Sequence, residues 1–200
     1  MTIAKADILT EVNDNLQEEF AAGDIETSIQ KCLDDISEED LLVDSDSSQS
    51  LSIGDKTLDL PTGFRAMIAI SLTLTGSGSE QYPLIALKGG HRQYRELRHN
   101  DDSTGIPRYY SEYDDKFYLW RPTNQAATVL IEYYKNHPQD VDNIEFADNF
   151  KNAIYAGVTY YLALKHKKTS YVQLWLPIYE NAKEKRTDAI VHIPRFVRGN

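Results

Sequence analysis

The sequence predicts an α+β fold: a helical bundle built from both ends of the chain, with an antiparallel β-domain inserted between them and an extended C-terminal arm. Three observations carry this. Apolar residues recur every three to four positions near both ends, the spacing of one helix face. Between them the period falls to two, and the residues become β-branched and aromatic. Proline and glycine punctuate the middle far more often than the ends.

At the start, Ile8, Val12, Leu16 and Phe20 form one helical stripe. Gly23 breaks the pattern, Asp24 reads as an N-cap, and Ile25, Ile29, Leu33 and Ile36 form a second stripe. Two short amphipathic helices joined by Ala21-Ala22-Gly23 should fold back as an antiparallel hairpin over residues 1–43. Cys32, the one cysteine, falls beside Leu33 and reads as a small packing residue; a lone thiol excludes an internal disulfide.

Residues 44–138 read as the inserted domain. Residues 44–50 are rich in Asp and Ser, which bond their own backbone, and predict a loop. Leu58 and Leu60 alternate with polar neighbours until Pro61 stops the strand. Met67–Thr75 predicts a strand, and Gly76-Ser77-Gly78-Ser79 a loop tip. Tyr82–Leu87 is a short apolar run, and His91–His99 a short polar helix. Tyr109-Tyr110 and Phe117–Trp120 flank Asp114-Asp115-Lys116, the pattern of a hairpin with a polar turn. Ala127–Tyr134 adds a strand that His137-Pro138 ends.

The helical period returns over 146–166, with Phe146, Phe150, Ile154, Val158 and Leu162 on a broad face. A last helix is predicted from Ser170 to Asp188, with Pro177 inside it, so residues 139–188 complete the bundle. Residues 189–200 have no helical period and read as the arm.

Composition narrows the function. The net charge is −10, and residues 1–60 alone hold 16 acidic and 3 basic side chains, so the rest is slightly basic. That opposes ordinary DNA binding, which rests on cations against phosphate. No apolar run reaches the roughly 20 residues that span a bilayer, and Met1–Phe20 lacks the basic start and apolar stretch of a signal peptide. No cofactor is expected. The five histidines form neither a His-x-x-x-His pair nor a zincin signature, and His91 and His99 read as surface residues. Asp44-Ser45-Asp46 and Asp101-Asp102 lack the Gly and terminal Glu of a calcium loop. The glycine pairs are too short for a phosphate cradle, and no Gly-x-Ser-x-Gly elbow occurs. The enzyme reading that stays open, and is disfavoured, is a carboxylate-based hydrolase drawing on Asp101, Asp102, Asp114 or Asp115.

Four segments stand between the helical ends in a recognisable order: Leu58-Asp59-Leu60-Pro61 with Phe64-Arg65, Gly105-Ile106-Pro107-Arg108-Tyr109-Tyr110, Phe117–Pro122, and Val129–Tyr134. This order resembles the head–tail adaptor (connector) proteins of tailed bacteriophages, over roughly Ala4 to Arg186. The polar stretch around Arg92–Ser103 departs from the pattern. The resemblance implies a structural virion protein, not an enzyme. It would form a ring, usually twelve-fold, that joins the portal vertex of the capsid to the tail and continues the DNA channel. The implied partners are the portal protein, tail or nozzle proteins below the ring, neighbouring copies of the chain, and phage DNA passing without sequence-specific binding; no membrane is involved. The implied location is the head–tail junction of the virion, after synthesis in the host cytoplasm. Another tail-completion or tail-tube subunit is the alternative.

The resemblance gives three groups of residues a role. In the arm, Ile193, Phe196 and Val197 would anchor, and Arg195 and Arg198 pair, on the portal. Glu11, Asp14, Glu18, Asp34, Asp35 and Glu38 would line the channel and repel phosphate. The turn Asp114-Asp115-Lys116 would face the tail or a neighbouring subunit.

Overall fold

The computed structural model describes residues 3–39 and 42–191, with side chains as far as residue 184. The fold is α+β, and the chain divides after Leu42 and after Lys135 into two compact units. The described residues outside Val43–Lys135 form one, and Val43–Lys135 forms the other.

The first unit is helical: α1 (Lys5–Leu16), α2 (Ala22–Ser37), α4 (Lys151–Lys165) and α5 (Thr169–Val191). The four-residue stripes bury as their spacing requires. Ile8, Val12 and Leu16 of α1 and Ile25, Ile29, Leu33 and Ile36 of α2 are shielded from solvent. They meet Ile154, Val158 and Leu162 of α4, with Ile144, Phe146 and Phe150 closing the core. Each such side chain contributes about 1.5–3 kcal/mol of transfer free energy. Helix α4 packs on α1, α2 and α5, which is why it is apolar around most of its circumference.

Gly157 lets α4 approach its neighbours. A Cβ there would collide with Cys32 Sγ and stand 2.7 Å from a ring carbon of Tyr179. The Tyr179 hydroxyl donates to Asp35, and Lys183 Nζ lies 3.4 Å from the same carboxylate. Burial pushes the Tyr179 and Tyr161 phenols up, and the Cys32 thiol likewise, so Cys32 is a packing group without thiolate character.

These shifts carry a pH signature. Unfolded, the thiol and the phenols lose their protons near pH 9.0 and 10.0. The folded unit keeps those protons, so above about pH 9 the unfolded chain binds fewer of them and stability falls as pH rises. Urea midpoints of the helical signal should be flat near neutrality and decline beyond about pH 9. Tyr179→Phe should make the decline shallower. A midpoint unchanged up to about pH 11 would contradict the assignment.

His137, which the sequence reading takes only as part of a strand stop, is a buried polar residue. Its backbone N–H donates to Ser37 Oγ at 3.0 Å, and its Nε2 accepts from the Glu145 N–H at 3.0 Å. Its Nδ1 lies 2.8 Å from the Pro138 carbonyl, so the hydrogen bonds assign a neutral ring with the proton on Nδ1. The ring stacks on Phe146.

The second unit holds β1 (Val43–Asp46), β2 (Ser50–Leu51), β3 (Thr57–Asp59), β4 (Phe64–Leu74), β5 (Gln81–Pro83), β6 (Ile85–Ala86), α3 (Gly90–Asn100), β7 (Tyr109–Tyr113), β8 (Lys116–Trp120) and β9 (Ala127–Lys135). One sheet runs β1-β9-β4-β5, with β2 also on β9; the other runs β3-β8-β7-β6. All pairs are antiparallel except β6 with β7. Alternation puts Ile70, Leu72 and Leu74 of β4 and Val129, Ile131 and Tyr133 of β9 in the same core as Phe117 and Leu119 of β8. Phe117 sits edge-on to Phe64 and Tyr110, with ring centroids 5.4 and 5.7 Å away. Helix α3 packs against β7 and β8.

Several boundaries differ from expectation, each for a local reason. Helix α1 ends at Leu16 because Gln17 turns left-handed (φ 53°); Phe20 lies beyond it and packs on the core from the connection. Ala21, not Asp24, caps α2, and Asp24 sits in the first turn, where its charge suits the helix dipole. Residues 44–46 are strand rather than loop, since their backbone pairs with β9 from Asp44↔Tyr133 to Asp46↔Ile131 and Lys135 bridges to Asp44 at 2.8 Å. Tyr82–Leu87 is split between the two sheets as β5 and β6. Phe146 precedes the helix, which opens with a 3₁₀ turn at Asp148–Phe150. Helix α5 continues to Val191, past the predicted start of the arm at residue 189, with Pro177 inside it.

Candidate functional site

The structure separates the predicted residues among several surfaces. On α1, Glu11 and Asp14 are exposed, away from the buried Ile8-Val12-Leu16 stripe, and Glu18 is exposed just beyond the helix end, after the left-handed Gln17. Asp14, Glu18 and Glu19 line an open groove with Thr10, Asn13 and Gln17. Glu18 also pairs with Lys168.

The three acids of α2 sit differently. Glu38 is exposed at the helix C-cap. Asp34 accepts from Gln30 Nε2 at 2.8 Å and from Gln139 Nε2 at 3.4 Å. Asp35 is half-buried and engaged by Tyr179 and Lys183, so its carboxylate fastens α2 to α5. The six predicted acids are thus not one equivalent set. The basic run at the end of α4 is likewise occupied: Lys165 Nζ is 2.8 Å and His166 Nε2 3.0 Å from Asp24, and Lys165 holds the Asp24 carboxyl below its ordinary range.

The β7–β8 hairpin turns on Asp114 and Asp115 alone, both left-handed (φ 51° and 56°), the geometry of a two-residue type I′ turn. Lys116 is the first residue of β8, paired with Tyr113, and its Nζ is 2.9 Å from Asp59 on β3. Asp114 and Asp115 are exposed at the tip. Asp101, weighed above as a candidate acid, is bound to Arg121 at 2.6 Å, and Asp102 pairs with Arg98. Among the described residues, no group of three or more His, Cys, Asp or Glu side chains is placed to hold a metal ion. The arm residues Ile193, Arg195, Phe196, Val197 and Arg198 lie outside the described residues.

One surface was missed by the sequence reading. Helix α3 presents Arg92, Arg95 and His99 to solvent, beside the rings of His91, Tyr113 and Tyr118. His91 stacks on Tyr113 at 4.3 Å between centroids, and its Nδ1 is 3.4 Å from Ser111 Oγ. The arginine spacing of three (92, 95, 98) was visible and puts the guanidinium groups along one side of a helix.

The profile of the SU10 adaptor protein family matches residues 1–192, the whole described chain and both its units. The chain belongs to this family. No curated protein matches it. The adaptor is therefore a structural protein of the phage head–tail adaptor type, located in the virion and in contact with other head or tail proteins. No helix among its described residues is long and apolar enough to cross a membrane.

Proposed function

We propose that this adaptor forms a ring, twelve-fold like the portal, which joins the portal vertex to the tail and continues the DNA channel. The family match across residues 1–192 carries the reading. A ring subunit needs two different side surfaces that close by rotation, and this fold offers unlike surfaces on its helices and on its hairpin. The exposed acids Glu11 and Asp14 of α1, Glu18 just after it and Glu38 at the C-cap of α2 face the passing DNA and repel its phosphates, so the genome slides without being held. Asp34 and Asp35 contribute charge behind that face while serving as internal acceptors. The hairpin tip at Asp114-Asp115 meets a tail protein or a neighbour. The C-terminal residues Ile193–Arg198 grip the portal, with the apolar side chains as anchors.

Imaging of intact particles tests the reading directly: density for this chain should lie between portal and tail, and its absence there would end the proposal. Removing residues 192–200 should leave the fold intact while weakening co-sedimentation with the portal by roughly tenfold or more. Equal binding by the truncated chain would dismiss the grip.

A further inference from the structure

Two exposed patches on this molecule are each incomplete, and they are complementary. The first is the α3–hairpin cleft of the β unit. Arg92 and Arg95 stand one turn apart on α3. Arg92 reaches only the exposed Glu96, at 3.2 Å, while Arg95 and Lys56 have no ion-pair partner among the described residues. The Tyr113 ring is 55% exposed beside them, and the buried Nη1 of Arg98 in the adjoining wall makes no hydrogen bond. The surface is therefore cationic and aromatic together.

The second patch is the outer face of α5 in the helical unit. Leu174 and Ile178, one turn apart, are 55% and 44% exposed. Glu180 and Glu184, also one turn apart, are exposed and without ion-pair partners among the described residues, on a second stripe about 120° around the helix from the first. The solvent side of α5 therefore carries an apolar stripe on one flank and an anionic stripe on the other. It is distinct from the α1 acids proposed for the channel.

We infer that the α5 face of one copy docks into the α3–hairpin cleft of the next. Glu180 and Glu184 would meet Arg92 and Arg95, and Leu174 and Ile178 would cover the Tyr113 ring. Matched spacing, one turn on each helix, lets two charge pairs form at once, and charge complementarity selects the partner. The patches differ from one another, so the contact is heterologous and propagates head to tail, as a closed ring requires. A polynucleotide is the other candidate for a cationic, aromatic cleft. It is disfavoured because the chain carries −10 overall and would leave the exposed apolar pair on α5 uncovered. This inference rests on the ring reading above and names the surfaces that close it.

The test is sedimentation velocity of the full chain at millimolar concentration and low salt, with three forms: the wild type, Arg92→Glu/Arg95→Glu, and Glu180→Lys/Glu184→Lys. All substituted side chains are exposed, and matching circular-dichroism melts establish that each form is folded. The wild type should associate reversibly and less at high salt. Each variant alone should associate roughly tenfold more weakly. An equimolar mixture of the two should regain association, because alternating copies restore opposite charges at one junction and keep the native pair at the other. A wild type that stays monomeric, variants that associate like the wild type, or a mixture without recovery would each overturn the inference. Loss of binding to a short DNA duplex in the arginine variant, with self-association unchanged, would overturn it in favour of nucleic acid. All of these results leave the position of the chain in particles, and hence the ring reading, to be decided by imaging.

Discussion

Replacing Phe117 by alanine should destabilise the β unit by about 3–5 kcal/mol, the largest single effect expected in that unit. Phe117 is fully buried on β8, an interior strand of its sheet, and fills the space between the Phe64 and Tyr110 rings. Truncation removes both edge-on ring contacts and leaves a cavity that flanking strands, pinned by register on either side, cannot collapse. Hydrogen exchange at the β7, β8 and β9 amides as a function of urea measures the loss. A change below about 1 kcal/mol would mean that the core relaxes to refill the site.

Gly157→Leu should be the most damaging change in the helical unit, beyond the ~1–3 kcal/mol usual for overpacking. A Cβ alone already falls inside contact distance of Cys32 and Tyr179, and neither can retreat. Cys32 is walled in by α4, and Tyr179 is held by Asp35. Even Gly157→Ala, which gains about 1 kcal/mol of helix propensity, should come out destabilising on balance. Cys32→Gly should partly rescue Gly157→Ala, because it removes the sulfur that the new methyl meets. Urea melts of the two single variants and the double variant would show the coupling; strict additivity would place the clash elsewhere.

The fold class was legible because buried residues keep a period. Ile8, Val12 and Leu16, or Val129, Ile131 and Tyr133, declare helix or strand through spacing alone. What stayed hidden depends on partners distant in sequence. Asp44–Asp46 is polar, and only pairing with β9 makes it a strand. Asp24 has the chemistry of a cap, yet the helix starts earlier, at Ala22. The candidate surfaces were half legible. The α1 acids could be placed opposite an apolar stripe, whereas Asp35 looks identical in sequence and is recruited by a tyrosine on the last helix. The α3 cleft needed the hairpin brought beside the arginines before it could be recognised.

The pairing of Val43 with Tyr134 puts the first and last strands of the β unit side by side and antiparallel. The two places where the chain enters and leaves that unit are consequently neighbours, about 5 Å apart across one ladder. A linker of a few residues could close the gap after excision, and a foreign module with similarly adjacent ends could be spliced in its place. Residues 43–135 thus have the termini of a cassette, a unit that recombination would exchange whole through one pair of adjoining junctions.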